Sequence, residues 1–310
     1  MSESITPIFV LSIPRSGSTL TQWIISSHDQ VMTLSEPFIA LPLVYTTREN
    51  GVIAEYNHAA LHRGVKDVIE AMPGGRNAYL EEMANTVRRI YTRLTPGGKR
   101  YFLDKTPRYG LIARELIDMF PDGRFIFLWR NPLAVIASMM GANAKWRLHR
   151  FEVDLFRNID NLVDASRACG DRACMVRYED LINEPEANFE RVFDYLGLAF
   201  RPSLLETYGE TELAGRMGRK MGSAVRPGLD TASLTRWKSV LNNPIRKKWC
   251  RQYLDWVGAE RLSHMGYDLN ELQADLNTVP STAKLIVSDV IRTMRFGWPG
   301  PAPRRTLRDR

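Results

Sequence analysis

The sequence predicts an α/β fold in which a doubly wound, mostly parallel sheet lies between two layers of helices. Short apolar segments alternate along the chain with longer amphipathic segments, which is the order of strands and helices in a parallel sheet. A tight Pro/Gly turn joins the first apolar segment to the first helix, at the edge where such sheets bind ligands. Segment 125–129 is apolar throughout, as expected for a strand that is buried on both faces.

Local signals justify each element in order. Pro96, Gly97 and Gly98 end one helix, and Asn131-Pro132 opens another with proline in the first turn, where it is tolerated. Region 38–78 has scattered proline, glycine and histidine, so we expect irregular structure there. The predicted strands are 7–13, 31–34, 101–104, 124–129 and 173–177, and the predicted helices are 18–28, 79–94, 108–119, 132–141, 149–168, 185–196 and 243–265.

We predict one domain over residues 1–272, followed by a C-terminal extension over 273–310 that holds a helix and a basic tail. Segment 283–296 places a set of apolar residues on one helical face: Ile286, Val287, Val290, Ile291 and Met294. Trp298 and the arginines 304, 305, 308 and 310 follow. Two hypotheses stand for this helix: that it packs on the domain, or that it contacts a membrane surface peripherally.

Composition and charge narrow the classes of protein to which this chain can belong. Of the 310 residues 44% are hydrophobic and 25% are charged, as in ordinary globular proteins. The net charge of +7 suits an enzyme for a polyanionic nucleotide, and also suits nucleic-acid or membrane-surface contact. The three cysteines form no C-x-x-C pair and the five histidines are scattered, so neither a disulfide framework nor a metal site is predicted. Because no apolar segment approaches the ~20 residues of a membrane span, we expect a cytoplasmic protein.

The turn after the first strand has the composition of a phosphate-binding loop. Arg15, Ser16, Gly17, Ser18 and Thr19 lead into the first helix, where unpaired backbone N–H groups and the helix dipole favour an anion. A serine follows the glycine, whereas the loop of ATPases has a lysine in that place. The sequence therefore predicts a site for a phosphate ester that differs from the common ATP-binding loop.

A second phosphate site is predicted where strand 124–129 ends. Arg130 follows this strand directly, and Ser138 lies two turns into the next helix. A guanidinium donates two parallel hydrogen bonds to a phosphate, which a lysine cannot do.

Together these segments resemble sulfotransferases that use 3′-phosphoadenosine 5′-phosphosulfate (PAPS), in motif pattern most of all the bacterial and tyrosylprotein types. The run P-R-S-G-S-T-L at 14–20 is similar to their 5′-phosphosulfate loop, and F-I-F-L-W-R-N-P with the later Ser138 is similar to their 3′-phosphate segment. The resemblance implies a P-loop-like sulfotransferase fold, PAPS as co-substrate and no metal. Arg130 and Ser138 would hold the 3′-phosphate.

Three later segments extend the resemblance. Tyr178 begins a Y-E-D-L run, which implies a position near the nucleotide. Arg226 and the segment around Arg236 resemble the late basic segment that folds over the cofactor, with arginine where the tyrosylprotein type has lysine. Ser223 is carried over with them as a cofactor-binding residue.

The resemblance also supplies a base and a group for the leaving phosphate. Glu36 stands where tyrosylprotein and several bacterial sulfotransferases have a glutamate that takes the proton of the acceptor hydroxyl. Lys105, after strand 101–104, matches the lysine that assists the leaving group, and Arg15 stabilises the same phosphate. His62 and His149 stay open as alternative bases.

The leading hypothesis is therefore a sulfotransferase that moves the sulfuryl group from PAPS to a hydroxyl by in-line displacement. We favour a carbohydrate or glycolipid acceptor, with protein tyrosine or a small molecule as the alternative. An ATP-dependent kinase and a non-enzymatic basic binding module are the hypotheses of other classes. Aromatic residues are not interleaved with basic ones as stacking platforms would be, so we expect no nucleic-acid partner.

Overall fold

The computed structural model describes residues 5–141, 143–210 and 229–301, and a five-stranded parallel sheet forms its centre. The sheet order is β2-β3-β1-β4-β5, and each neighbouring pair is parallel. The strands are β1 (Thr6–Leu11), β2 (Val31–Ser35), β3 (Tyr101–Lys105), β4 (Arg124–Trp129) and β5 (Ala173–Arg177). The predicted α/β class with a parallel sheet is thereby confirmed.

Helices connect the strands and cover both faces of the sheet. In the described part of the chain they are α1 (Ser18–Ser26), α2 (Ala40–Tyr45), α3 (His58–Ala71), α4 (Gly75–Leu94), α5 (Ala113–Met119), α6 (Pro132–Met140), α7 (Ile159–Cys169), α8 (Tyr178–Asn183), α9 (Pro185–Leu196), α10 (Leu204–Thr207), α11 (Ala232–Thr235), α12 (Trp237–Val240), α13 (Pro244–His264), α14 (Leu269–Thr278) and α15 (Ile286–Phe296). A 3-10 helix, Pro107–Ile112, precedes α5, and a π-helix, Val153–Asn158, precedes α7.

Strand β4 shows how the three layers are built. Phe125, Phe127 and Trp129 face a core that α4 to α7 and α13 complete, while Ile126 and Leu128 face a second core made with α1, α8 and α9. Side chains of a strand alternate between the two faces, so an unbroken apolar run is buried on both.

The expectation of irregular structure over 38–78 is wrong, because α2 and α3 lie there. Pro42 lies in the first turn of α2 and Gly64 inside α3, and in a sequence both residue types usually mark turns or loops. The side chain of Asn57 caps α3 by accepting the N–H of Ala60 at 3.2 Å. Helix α3 lies on the surface and buries none of its residues fully.

The C-terminal extension is joined to the domain by a buried ion pair. Arg246 of α13 donates from Nε to Asp289 Oδ2 of α15 at 2.7 Å, and each side chain is 1% exposed. Helix α14 runs across residue 272, where the domain boundary is predicted, and packs on α13. No helix in the described ranges is both long and apolar enough to span a membrane.

Candidate active site

The candidate site lies along the edge of the sheet where all five strands end. Parallel strands present their carboxyl ends at one edge, and ligands bind there in doubly wound folds. The residues that follow or close the strands at this edge are the loop 12–17, Glu36, Lys105, Arg130 and Tyr178.

Backbone strain is concentrated at the same edge. Arg15, Glu36 and Phe38 have positive φ angles of 74°, 43° and 57°, which side-chain-bearing residues rarely adopt. Such strain persists only where the surroundings impose it, and it clusters at functional sites.

The phosphate loop depends on a glycine at its closest contact. Gly17 has a φ of +94° and precedes α1 without any capping side chain. A Cβ atom at this position would lie 2.2 Å from Cδ2 of Tyr178, so no other residue fits while the tyrosine ring stays in place. Ser18 and Thr19 form the first turn of α1.

The two predicted phosphate segments meet in space. Arg15 donates from Nε to the hydroxyl of Ser138 at 3.0 Å, although 123 positions separate them. Arg130 donates to the carbonyl oxygen of Arg15 at 2.9 Å. The structure thus brings two guanidinium groups and a hydroxyl to one place beside the loop, an arrangement suited to a ligand with more than one phosphate group.

Tyr178 links this cluster to the segment after residue 228. The guanidinium of Arg130 lies over the Tyr178 ring, 4.2 Å from its centroid, and the tyrosine hydroxyl is 2.9 Å from Oγ of Ser233. Arg130 also donates to the carbonyl oxygen of Ser233 at 3.0 Å. Among the described residues of the predicted late segment, Ser233 therefore joins the cluster.

Of the remaining predicted cofactor residues the structure describes one, Arg236, which is not brought to this cluster. Arg236 is mostly exposed and donates to Asp230 Oδ2 at 2.8 Å. Ser223 and Arg226 lie outside the described residues. His149, an alternative base, stacks on Phe296 of α15 at 4.3 Å between ring centroids.

Glu36 and Lys105 form an ion pair at the neighbouring strand ends. Lys105 Nζ donates to Glu36 Oε1 at 2.8 Å, with side-chain exposures of 3% for the lysine and 19% for the glutamate. Their approach follows from the register, because Ser35 pairs with Lys105 across β2 and β3. The predicted base and the predicted leaving-group cation are thus direct neighbours.

A buried carboxylate network supports this pair. Asp104, fully buried beside Lys105, accepts hydrogen bonds from Tyr91 at 2.6 Å, Thr106 at 2.8 Å and Tyr109 at 2.9 Å. Burial raises the pKa of Asp104 to about 6, against the lowering effect of these donors. The network fixes the end of β3 to α4 and to the 3-10 helix, and so orients the backbone that carries Lys105.

The loop fits a phosphorylated ligand on two observations. Oγ of Ser16 is buried and has no hydrogen-bond partner among the described residues, a costly state that an acceptor oxygen of a ligand would relieve. Nε of Arg130 is likewise buried and unpartnered within the described ranges. No cluster of metal-ligating side chains occurs in the described part of the chain.

Sequence reasoning includes Ser233 only as a member of the late segment, and it does not find the tyrosine partners of Asp104. Ser233 stands in the run S-L-T-R-W, where the charged Arg236 gives the stronger local signal. Asp104 precedes Lys105, but its partners Tyr91 and Tyr109 come from other elements, and only the fold brings them together.

Several known proteins are similar to this chain in sequence. A model described as "Sulfotransferase family" matches residues 7–202. Nodulation protein NoeE of Sinorhizobium fredii is 24% identical over 330 residues, which cover 96% of this chain and 75% of that protein. A putative protein-tyrosine sulfotransferase of Caenorhabditis briggsae is 25% identical over 279 residues, covering 86% and 91%.

A mycobacterial protein and a solved structure are also similar to this chain. Omega-hydroxy-beta-dihydromenaquinone-9 sulfotransferase Stf3 of Mycobacterium tuberculosis is 27% identical over 177 residues, which cover 51% of this chain and 42% of that protein. The solved sulfotransferase domain from the curacin biosynthetic pathway superposes with a TM-score of 0.55 at 19% identity, covering 86% of this chain and 99% of that domain. This likeness concerns the fold.

Proposed function

The chain belongs to the sulfotransferase family, and from this premise we propose that it moves the sulfuryl group of PAPS to a hydroxyl of a carbohydrate or glycolipid. Membership of the family decides among the classes left open by the sequence, since it makes the protein an enzyme of sulfuryl transfer rather than a kinase or a binding module. The donor, the roles of the residues and the acceptor are the proposal.

One observation carries the proposed donor site: the contact between Arg15 and Ser138 at 3.0 Å. It joins the loop suited to a 5′-phosphosulfate to the helix suited to a 3′-phosphate. PAPS has both groups, whereas ATP has no 3′-phosphate. We assign Arg15 and the loop 16–19 to the phosphosulfate end, and Arg130 with Ser138 to the 3′-phosphate. Tyr178, Ser223, Arg226 and Arg236 stay predicted cofactor residues.

The ion pair at the neighbouring strand ends supports the proposed chemistry. Glu36 takes the proton of the acceptor hydroxyl while that oxygen forms its bond to sulfur and the bond from sulfur to the leaving phosphate oxygen breaks. Lys105 donates to that oxygen as its negative charge grows, which is most effective in a water-poor site such as its own. A carboxylate offers about four acceptor positions, so Glu36 keeps capacity for the acceptor while it contacts Lys105.

The acceptor class has support from the names of relatives. Stf3 is named for a hydroxylated menaquinone, which supports a lipid-linked hydroxyl. Relatives named as protein-tyrosine sulfotransferases support peptidyl tyrosine equally well. We further propose a cytoplasmic location with peripheral contact at the inner membrane face, for which α15 supplies the surface.

Calorimetric titration of the full chain with three ligands tests the donor proposal. We expect binding of 3′-phosphoadenosine 5′-phosphate (PAP), the desulfated product of PAPS, and little binding of ATP or of single-stranded DNA. Equal binding of ATP and PAP would remove the 3′-phosphate site from the proposal. Mass spectrometry of a glycolipid extract and of a tyrosine peptide, each incubated with isotope-labelled PAPS, then separates the two acceptor candidates.

A further inference from the structure

Helix α15 presents its apolar face to solvent and its polar side to the domain. Four apolar residues at helical spacing form this outward face: Val287, Val290, Ile291 and Met294. Val287 is 72% exposed and Met294 is 82% exposed, while Asp289 is 1% exposed. An ordinary surface helix has the opposite orientation, so the outward face is without a partner in the described structure.

Contacts at both ends fix this orientation. At the first turn, Asp289 accepts hydrogen bonds from Arg246 at 2.7 Å and from Asn243 at 2.8 Å, all three groups being buried. After the last turn, Trp249 Nε1 donates to the carbonyl oxygen of Pro299 at 2.8 Å. Turning the helix over would leave Arg246 buried without its counterion, which is strongly unfavourable. The exposed face therefore belongs to a helix that is held in place.

The sequence in and after α15 is rich in positive charge. Segment 284–310 has seven basic and two acidic residues, so it carries five of the seven net positive charges of the chain. Arg292 and Arg295 lie within α15 itself, and Trp298, 41% exposed, follows it. Apolar residues flanked by arginines and a tryptophan are the composition of helices that lie in a membrane interface.

We propose that the outward face docks the protein onto an anionic lipid surface. Charge complementarity favours this occupant over a second copy of the chain, since two copies would bring two such positive segments together. Four side chains also offer little area compared with the roughly 1,200–2,000 Å² that a stable protein interface buries. The docking does not depend on the transfer reaction.

Vesicle flotation of the full chain tests the proposal. The vesicles are phosphatidylcholine alone and phosphatidylcholine with about one part in four of phosphatidylglycerol, because each basic residue near an anionic surface adds roughly fivefold in affinity. We expect binding to the anionic vesicles that weakens with salt, and little binding to the neutral ones. Excess PAP in the buffer should leave it unchanged, which separates docking by α15 from capture of lipid phosphates by Arg15 and Arg130.

A pair of matched double variants locates the surface. V287S/M294S makes the two most exposed residues of the outward face polar and should weaken binding by about tenfold or more. I53S/V68S changes two other exposed apolar residues, which are 72% and 54% exposed, and should bind as the wild type does. Melting temperature and PAP affinity of both variants establish that the fold is intact.

Three outcomes would overturn the proposal. They are a wild-type chain that stays unbound with anionic vesicles, a V287S/M294S variant that binds as tightly as the wild type, and a wild-type dimer that this variant converts to a monomer in light scattering. The last outcome would make the outward face an interface between copies. Loss of PAP binding with normal vesicle binding would refute the donor site and leave the docking intact.

Discussion

Replacement of Gly17 by alanine tests the geometry of the phosphate loop most directly. The new Cβ would lie 2.2 Å from Cδ2 and 2.5 Å from Cε2 of the buried Tyr178 ring. The ring cannot yield alone, because Arg130 stacks on it and its hydroxyl contacts Ser233. Gly17→Ala therefore displaces the loop, the ring or both, and disturbs the predicted phosphate contacts.

The size of the effect has two parts. A left-handed backbone costs an alanine about 1–2 kcal/mol, and forcing an extra methyl group into a packed place costs a further ~1–3 kcal/mol. Gly98 offers a matched control, since it has the same φ of +94° but nothing within 4 Å of an added Cβ. Gly98→Ala should carry the backbone cost alone. PAP affinity should fall about 5- to 150-fold in Gly17→Ala and stay unchanged in Gly98→Ala.

Calorimetry with PAP and urea unfolding of both variants supply the measurements. A double variant completes the test: with Tyr178→Ala in the background, Gly17→Ala should cost no more stability than Gly98→Ala does. If Gly17→Ala binds PAP as tightly as Gly98→Ala, the close approach to Tyr178 is irrelevant to the site and the reasoning fails.

Three further predictions concern the other groups of the site. Arg130→Ala should weaken PAP binding by about 1.5–3 kcal/mol, and Ser138→Ala by less, as measured by calorimetry; unchanged affinity would remove Arg130 from the site. Glu36→Gln should keep PAP affinity and lose about 10²–10⁴ in turnover in steady-state assays. A more acidic acceptor should partly restore the turnover of Glu36→Gln but not that of Lys105→Ala. Near-full activity of Glu36→Gln would exclude Glu36 as the base. Because burial raises the pKa of Asp104, the folded state binds the proton of this carboxyl group more tightly than the unfolded state does. The stability that this proton contributes is therefore present below pH 3.8 and is lost as pH rises through about 6. Asp104→Asn should therefore be most destabilising at low pH, with a penalty that shrinks toward pH 7 in urea unfolding; a penalty independent of pH would contradict this.

The strands were predictable because each is a short apolar run in the sequence that ends at residues typical of turns or helix starts. The predicted and observed bounds of β4 are the same, residues 124–129, since its apolar run stands between a turn and the Asn131-Pro132 helix start. Helices α2 and α3 were not predicted because they contain Pro42 and Gly64, residue types that usually mark turns or loops. Tertiary contacts stabilise this region, such as the hydrogen bond that the N–H of Ala40 donates to the Tyr109 hydroxyl at 3.0 Å. Contacts between residues so far apart in the chain cannot be predicted from the local sequence.

The site was predictable where the sheet topology alone brings its residues together. Arg15 and Arg130 follow strands of one parallel sheet and Lys105 ends another, so their convergence needs only the strand assignments. The contact of Glu36 with Lys105 depends in addition on the β2–β3 register. Ser233 is different: it reaches Tyr178 from a segment without a strand, and no periodicity indicates that approach.

Helix α15 shows most clearly where periodicity stops being informative. The spacing of its apolar residues establishes that one face exists, but the same spacing serves a helix on a core and a helix on a membrane. One buried acidic residue determines which way the apolar face points. Asp289 can be buried only on the side of the helix that contacts Arg246, which lies 43 positions earlier in the chain. Once that ion pair is satisfied, the apolar stripe has to face outward. The orientation that leaves a hydrophobic surface for a partner is thus set by the electrostatics of the opposite side of the helix.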